Sequence, residues 1–562
     1  MVWQQVYDPL ANSTLSTLAA AIPIVTLLGL LASGIAKAHW AAIIAWLSAF
    51  LVAVFVFTMP AEMAIKASLL GAAIGIFPIG WIVVNVIFLY RLTVENGSFQ
   101  ILQNSIAAIT ADRRLQLLLI AFAFGAFFEG AAGFGTPVAV TGAILIGLGF
   151  SPLAASGLAL IANTAPVAYG ALGTPIVTLA SVMHLSGDND LDALRLSAMV
   201  GRQLPFFSML VPFWLIWAFA GFRGMLGVIP AIVVCGVSFA IPQFLISNYH
   251  GPWLVDVGAA IVSMLCLTLF LRVWKPREIW TSAALVGHND PSLADMKPVP
   301  QSTGPATTPN QVLAAWVPWI VLCLFVLVWG TPWFKSIVNP FYFPKFEVMG
   351  LHNLIEKVAP VVAAPVKEGA IFNFNILSMT GTGIFLAAIL SGLLMGKGPI
   401  KLLKAYAKTL WVVKTSLMTI AAMLALGTLC RYSGTDATLG LAFAQTGWFY
   451  PFFGTLLGWL GVALTGSDTA SNVLFGGLQK VTSEQLGLSP VLMGAANSSG
   501  GVMGKMIDAQ SIVVASTATG WFGHEGTILR FVFWHSIALA CLVGLLVMVQ
   551  AYVAPFTSLV VP

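Results

Sequence analysis

Two acids stand inside apolar sequence, each beside a glycine-rich polar run. Glu129 closes the stretch LLLIAFAFGAFFE and opens Glu129-Gly-Ala-Ala-Gly-Phe-Gly-Thr-Pro137, which continues to Asn163-Thr-Ala-Pro166 and Gly173-Thr-Pro175. Asp468 lies in Thr465-Gly-Ser-Asp-Thr-Ala-Ser-Asn472, followed by Asn497-Ser-Ser-Gly-Gly501 and Gly504-Lys-Met506. A carboxyl group in lipid is expensive, so each is a candidate for taking up and releasing a proton. Two structural readings stay open. Glu129 can be an ion-paired or interfacial residue, and Asp468 can cap a half-helix.

The residues around the two acids suit a small anion. Broken helices present free N–H groups and the positive end of a dipole. Gly133, Gly135, Thr136 and Pro137 form such a break, because glycine admits close backbone approach and proline fits a first helical turn. Thr465, Ser467 and Thr469 offer the same chemistry in the second run. Asn163 and Thr164, with Asn497 and Ser498, add side-chain donors and acceptors. Arg202 and Lys505 are the cations nearest the runs, and either can balance a bound carboxylate. Small residues also let helices pack closely, which is the plain alternative for the glycines. Interfacial snorkelling is the alternative for Arg202, and pairing with Asp468 or Asp508 is that for Lys505.

These groups must be carried by membrane helices. Of 562 residues, 59% are hydrophobic and only 8% charged, with a mean hydropathy of +0.94. The reading is an all-α polytopic membrane protein with about 12 full spans plus re-entrant or broken helices, in two inverted repeats like those of ion transporters. Full spans are expected near 14–34, 40–58, 67–90, 115–135, 200–220, 224–247, 252–273, 312–334, 376–396, 407–430, 446–465 and 530–554. Between 136 and 182, and between 469 and 520, Gly and Pro break the apolar sequence into half-helices.

Basic residues in short loops orient the chain. Lys37, Arg91, Arg113, Arg114, Lys275, Arg277 and the Lys397–Lys408 group are assigned to the cytoplasm, with the N-terminus and the 335–375 loop outside. The Ser- and Pro-rich stretch 282–311 reads as a disordered linker. The expected organisation is an N-terminal membrane half over 1–274, a cytoplasmic linker over 275–311 and a C-terminal membrane half over 312–562. GFSPL (149–153) matches GLSPV (487–491), and the Asn163 region resembles the Asn497 region, which suggests a repeat. The loop charges send span 115–135 outward and span 446–465 inward, so the repeats are expected to be inverted.

Other classes find little support. The net charge of +5 is spread over loops and does not point to nucleic acid. Five scattered cysteines and seven histidines show no metal-binding spacing, so no metal or cofactor is assigned. There is no Walker sequence and no GxSxG, and the FGTP glycines lack a strand–helix setting, so an enzyme is not expected.

At these motifs the chain resembles the lactate permease family, which includes L-lactate and glycolate permeases. The likeness is carried by EGAAGFGTPVAVTGA (129–143), LIANTAPVAYGALGTPI (160–176), GRQLPF (201–206), GWLGVALTGSDTASNVLFGGLQ (458–479) and SSGGVMGKMI (498–507). It implies a multi-pass bacterial inner-membrane protein that imports L-lactate, D-lactate and glycolate together with protons. One departure is Asp508-Ala509, where the family pattern has Ser-Pro, so no role is built on Asp508. The expected mechanism is proton symport, with Glu129 or Asp468 taking the proton and Arg202 or Lys505 facing the anion. Sodium-coupled carboxylate transport and cation/proton antiport are the alternatives. Lipid, monocarboxylate and protons are the expected partners, and the oligomeric state is left open.

Overall fold

The computed structural model describes residues 2–562 except 34, 100, 102–108, 132, 134, 184, 187, 288–289, 296–307 and 363. Among the described residues, eight helices are long and apolar enough to cross a membrane: His39–Val56, Ala61–Glu95, Leu204–Leu226, Ile229–Tyr249, Val255–Val273, Pro309–Trp329, Gly447–Thr465 and Glu525–Tyr552. Two bent pairs raise the number to ten. This is fewer than the twelve expected, because several expected spans are short, bent or broken. The stretch 67–90 belongs to a longer run with non-helical backbone at Phe77 (φ −139°, ψ 109°). The stretch 407–430 belongs to Pro399–Ser433, bent by 48° between Pro399–Thr415 and Leu417–Ser433.

The half-helices fall where Gly and Pro interrupt the sequence. Arg113–Leu117, the π-helical Leu118–Phe124 and Gly125–Ala131 make one limb, and Thr136–Gly147 returns from it. Gly135 turns the chain at φ +81°, a left-handed conformation that a side chain would strain, and Thr136-Pro137 starts the returning limb. Pro152–Ala162 and Val167–Ala180 then form a span bent by 64°. The second set has the same order. Tyr450–Thr465 ends at Gly466 (φ +69°), Asp468–Gln485 returns, and Pro490–Gly504 and Ala509–Ala518 follow. In both sets a Ser-Pro pair starts the span after the hairpin. Ser151 accepts from Ala154 N (3.2 Å) and Ser489 from Leu492 N (3.3 Å), while Pro at the first turn needs no donor partner.

The two sets have their bases at opposite faces. At one face Arg114 donates to the carbonyls of Gly224 (2.8 Å) and Glu278 (2.7 Å), Arg113 lies over the Phe150 ring, and Lys397 pairs with Glu95. At the other face Lys480 donates to the Met183 carbonyl (2.9 Å). A small β module also sits there. Trp3–Gln4 runs parallel to Ile355–Lys357, which pairs antiparallel with Val366–Glu368, and Lys345–Glu347 pairs antiparallel with Ile371–Asn373. Glu368 anchors this module between Lys357 (2.7 Å) and Arg431 (2.7 Å). Burial alone would raise its carboxyl, but Arg431 and Lys357 outweigh that and bring it down to about 2.

The stretch expected to be disordered is docked over its first part. Asp290 accepts from Ser151 Oγ (2.5 Å), Ser292 Oγ accepts from Leu153 N (3.1 Å), and Asp295 accepts from Trp521 Nε1 (2.9 Å). Side-chain acceptors and hydroxyls at fixed offsets tie it to the ends of both broken spans, a pattern that composition alone hides. Residues 296–307 lie outside the described residues.

Candidate functional site

The tips of the two hairpins, the break of the bent span Pro152–Ala180 and the junction between Pro490–Gly504 and Ala509–Ala518 meet around a cavity of about 30 Å³. Glu129, Gly133, Gly170, Ala171 and Pro175 line it from the first set, and Gly466, Ser467, Asp468, Thr469 and Lys505 from the second. The space is small, room for about two water molecules.

The first side is shaped for Glu129, which is 3% exposed. Asn163, at the end of Pro152–Ala162, donates from Nδ2 to Glu129 Oε2 (3.2 Å). Its Oδ1 has no partner among the described residues, and neither does the hydroxyl of Thr136. Ala171, Leu172 and Gly173 take left-handed backbone in succession (φ +46°, +55° and +76°), which is strained for the first two. That break brings Gly170 so close to Glu129 that a Cβ on it would collide with the carboxylate.

The second side is built around Asp468, also 3% exposed. Ser467 caps its helix by accepting from Ala470 N (3.3 Å), so the capping role considered for Asp468 belongs to its neighbour. Asp468 Oδ2 accepts instead from Ser498 Oγ (2.5 Å) and Asn472 Nδ2 (3.4 Å), and Oδ1 has no partner among the described residues. A chain of amides runs behind it. Asn497 donates to Asn472 Oδ1 (2.9 Å), Gln479 to Asn497 Oδ1 (3.1 Å), and Tyr450 to Gln479 Oε1 (2.8 Å). Such a connected network holds each member in one orientation. Gly501 belongs to the same fit, since a Cβ there would strike Asp468 Oδ1.

Among the described residues, Lys505 is the one cation lining the cavity. It is 2% exposed, donates from Nζ to the Gly466 carbonyl (2.6 Å) and pairs with Asp508 Oδ2 (3.4 Å). Asp508 is fully buried at the junction between Pro490–Gly504 and Ala509–Ala518 and caps the latter by accepting from Ser511 N (2.7 Å). The departure from the family pattern that set Asp508 aside therefore puts an acid beside the only lysine of the cavity among the described residues.

Of the residues singled out in sequence, Glu129, Gly133, Ser467, Asp468, Thr469 and Lys505 line the cavity. Asn163 and Ser498 bond directly to the two acids, and Asn497 stands one residue further back. Thr164 and Thr465 turn their hydroxyls to backbone carbonyls, at Ile161 (2.8 Å) and Gly461 (2.8 Å). Gly135 serves the hairpin turn. Arg202 is elsewhere. It donates to Asn248 Oδ1 (3.1 Å) and the Leu559 carbonyl (3.0 Å), so it ties the C-terminal segment down and does not reach the cavity. Asn163 and Asn497 were aligned as repeat partners, yet Asn163 ends its helix while Asn497 sits within Pro490–Gly504.

Sequence reading missed Asn472, Gln479 and Tyr450. Their positions at i, i+4 from Asp468 and near i+11 place Asn472 and Gln479 on one helix face, a signal that was available. Asp256 was also missed. It opens Val255–Val273, is 1% exposed, and neither carboxyl oxygen has a partner among the described residues.

Comparison with known proteins finds relatives along nearly the whole chain. A family model described as L-lactate permease matches residues 16–554. Glycolate permease GlcA of Escherichia coli (strain K12) is 45% identical, with all of both chains aligned. L-lactate permease of the same strain is 42% identical over 98% of each chain. L-lactate permease of Bacillus subtilis (strain 168) is 42% identical over 98% of this chain and 99% of its own.

Proposed function

The chain belongs to the L-lactate permease family, and on that premise we propose that it imports L-lactate and related 2-hydroxymonocarboxylates (D-lactate, glycolate) by proton symport. Membership of a bacterial permease family supports the bacterial inner membrane as its site, and the loop charges place the Arg113 face in the cytoplasm and the β module outside. The two hairpin-and-broken-span sets then act as inverted counterparts around a shared site.

One observation carries the reading. Glu129, Asp468 and Asp508 gather around a single lysine that already bonds the Gly466 carbonyl. Three carboxylates and one ammonium cannot all stay ionised in a water-poor cavity, and a lactate anion would add another negative charge. A proton on Glu129 or Asp468 relieves part of the excess. The substrate carboxylate then faces Lys505 Nζ in competition with Asp508, and its 2-hydroxyl donates to the unpartnered Asn163 Oδ1. Cotransport of one proton makes the cycle electroneutral and avoids about 2.3 kcal/mol of work per charge per 100 mV against an inside-negative potential. The cavity is too small for a three-carbon acid, so binding requires the hairpin tips to part.

A sodium-coupled reading uses the same oxygens, and the unpartnered Asp468 Oδ1 beside Ser467 and Thr469 favours it. Labelled lactate uptake into proteoliposomes separates the two. Accumulation driven by an inward proton gradient without sodium supports symport with protons. Accumulation driven by sodium at constant pH, with none from a pH gradient, rules it out.

A further inference from the structure

Asp256 packs against Gly130, the residue that follows Glu129. The limb that carries Glu129 rises from Arg113 over 16 residues, at most about 24 Å at the α-helical 1.5 Å each and less through the π-helical Leu118–Phe124, so Glu129 lies at the hairpin tip, away from the basic face. The helix Val255–Val273 starts at that level and runs back toward Lys275. The close approach is made at Gly130. A Cβ added there would lie 2.8 Å from Asp256 Cβ and 2.8 Å from Val257 N. Glycine at 130 is what lets the two acid-bearing helices touch.

The surroundings of Asp256 are unusual for a structural acid. Both oxygens are buried without a donor among the described residues, whereas acids that hold a fold are paired. The ionisable groups that interact with it are Glu129, from the hairpin limb, and Tyr169, from the break between Pro152–Ala162 and Val167–Ala180. Tyr169 already donates its hydroxyl to the Ser197 carbonyl (2.7 Å). On Ile229–Tyr249, the helix packed along the other side, Cys235 contacts Ser263. An acid buried without a donor or a counter-charge among the described residues is costly, so a purely structural role does not account for Asp256. Its place in the first turn of a helix is also where a passing negative charge is best tolerated.

We propose that Asp256 is the outer proton relay to Glu129: a proton from the β-module side binds Asp256 and passes to Glu129 when substrate is loaded. The two carboxyl groups are not hydrogen-bonded in this structure, so transfer requires a shift that brings them together. The O–H bond at Asp256 then breaks as one forms at Glu129, and Asp256 takes its next proton from the external side. The relay rests on the symport reading above and adds a route and a residue to it.

The test compares wild type with Asp256→Asn and Asp256→Glu in proteoliposomes, measuring uptake driven by a pH gradient and lactate/lactate counterflow. Counterflow needs no net proton transfer. Asp256→Asn is expected to slow proton-driven uptake at least tenfold and to leave counterflow within about twofold. Asp256→Glu keeps an acid and is expected to restore proton-driven uptake with a shifted pH profile. Unchanged uptake in Asp256→Asn overturns the relay and leaves the symport reading standing. Parallel loss of uptake and counterflow in both variants also overturns it, since that marks a packing role. Wild-type uptake that ignores the pH gradient overturns the symport reading, and the relay with it.

Discussion

Two clusters of buried charge lie in this molecule, and they are balanced in opposite ways. In the β module, Glu368 stands between Lys357 and Arg431, and the buried Asp436 lies near both cations, so that two cations face two acids. At the hairpin tips, Glu129, Asp468 and Asp508 share Lys505, and Asp256 adds a further acid behind Glu129. The outer arrangement suits structure, because every charge has a fixed partner. The central one suits transport, because on the proposed symport its charge is balanced as protons and substrate come and go. A paired charge holds the fold; an unbalanced set leaves room for a ligand.

The largest expected effect comes from removing the central cation. Lys505→Ala should lower lactate uptake about a hundredfold in proteoliposomes, since the substrate carboxylate then meets only acids. Rates within threefold of wild type would mean that the anion is held elsewhere. Glu129→Gln comes next, with proton-driven accumulation lost by tenfold or more and counterflow partly kept. Undiminished accumulation would remove Glu129 from the mechanism.

The outer cluster should respond in stability and not in coupling. Glu368 is held down to about 2, against an ordinary glutamate near 4.3. Its contribution is therefore full above about pH 4.5 and is lost as pH falls toward 2. The size is on the order of 3 kcal/mol, since each tenfold change in proton affinity is worth about 1.36 kcal/mol. Glu368→Gln should lower the melting temperature at pH 7 and leave the proton-to-lactate ratio unchanged; a changed ratio would erase the distinction between the clusters. The smallest effect is expected at Arg202, whose partners are Asn248 and Leu559. Arg202→Ala should leave the apparent lactate affinity within about twofold, and a tenfold loss would return Arg202 to the site.

Much of the site was legible because its signals are local. Glycine next to an acid in apolar sequence marks a break at any membrane depth, and Glu129, Gly133, Ser467, Asp468 and Lys505 all follow from that. Arg202 misled because a guanidinium at the start of an apolar run looks the same beside a substrate as beside a carbonyl. Asp508 was undervalued because its sequence departs from the family pattern, although Lys505 is only three residues away. Asp256 carries no motif at all. Its importance depends on Gly130, which is distant in sequence and close in space.

Sequence by itself determined that the chain is a membrane transporter, where its helices break, and which residue types gather at the breaks. Hydropathy, proline and glycine act over a few residues, so a linear reading captures them. Only the tertiary structure decided which acids share a cation and which cation lies away from the site. It also decided that residues 290–295 dock instead of trailing free. Those outcomes depend on contacts between helices far apart in sequence, where a few ångströms separate a paired charge from an unpaired one.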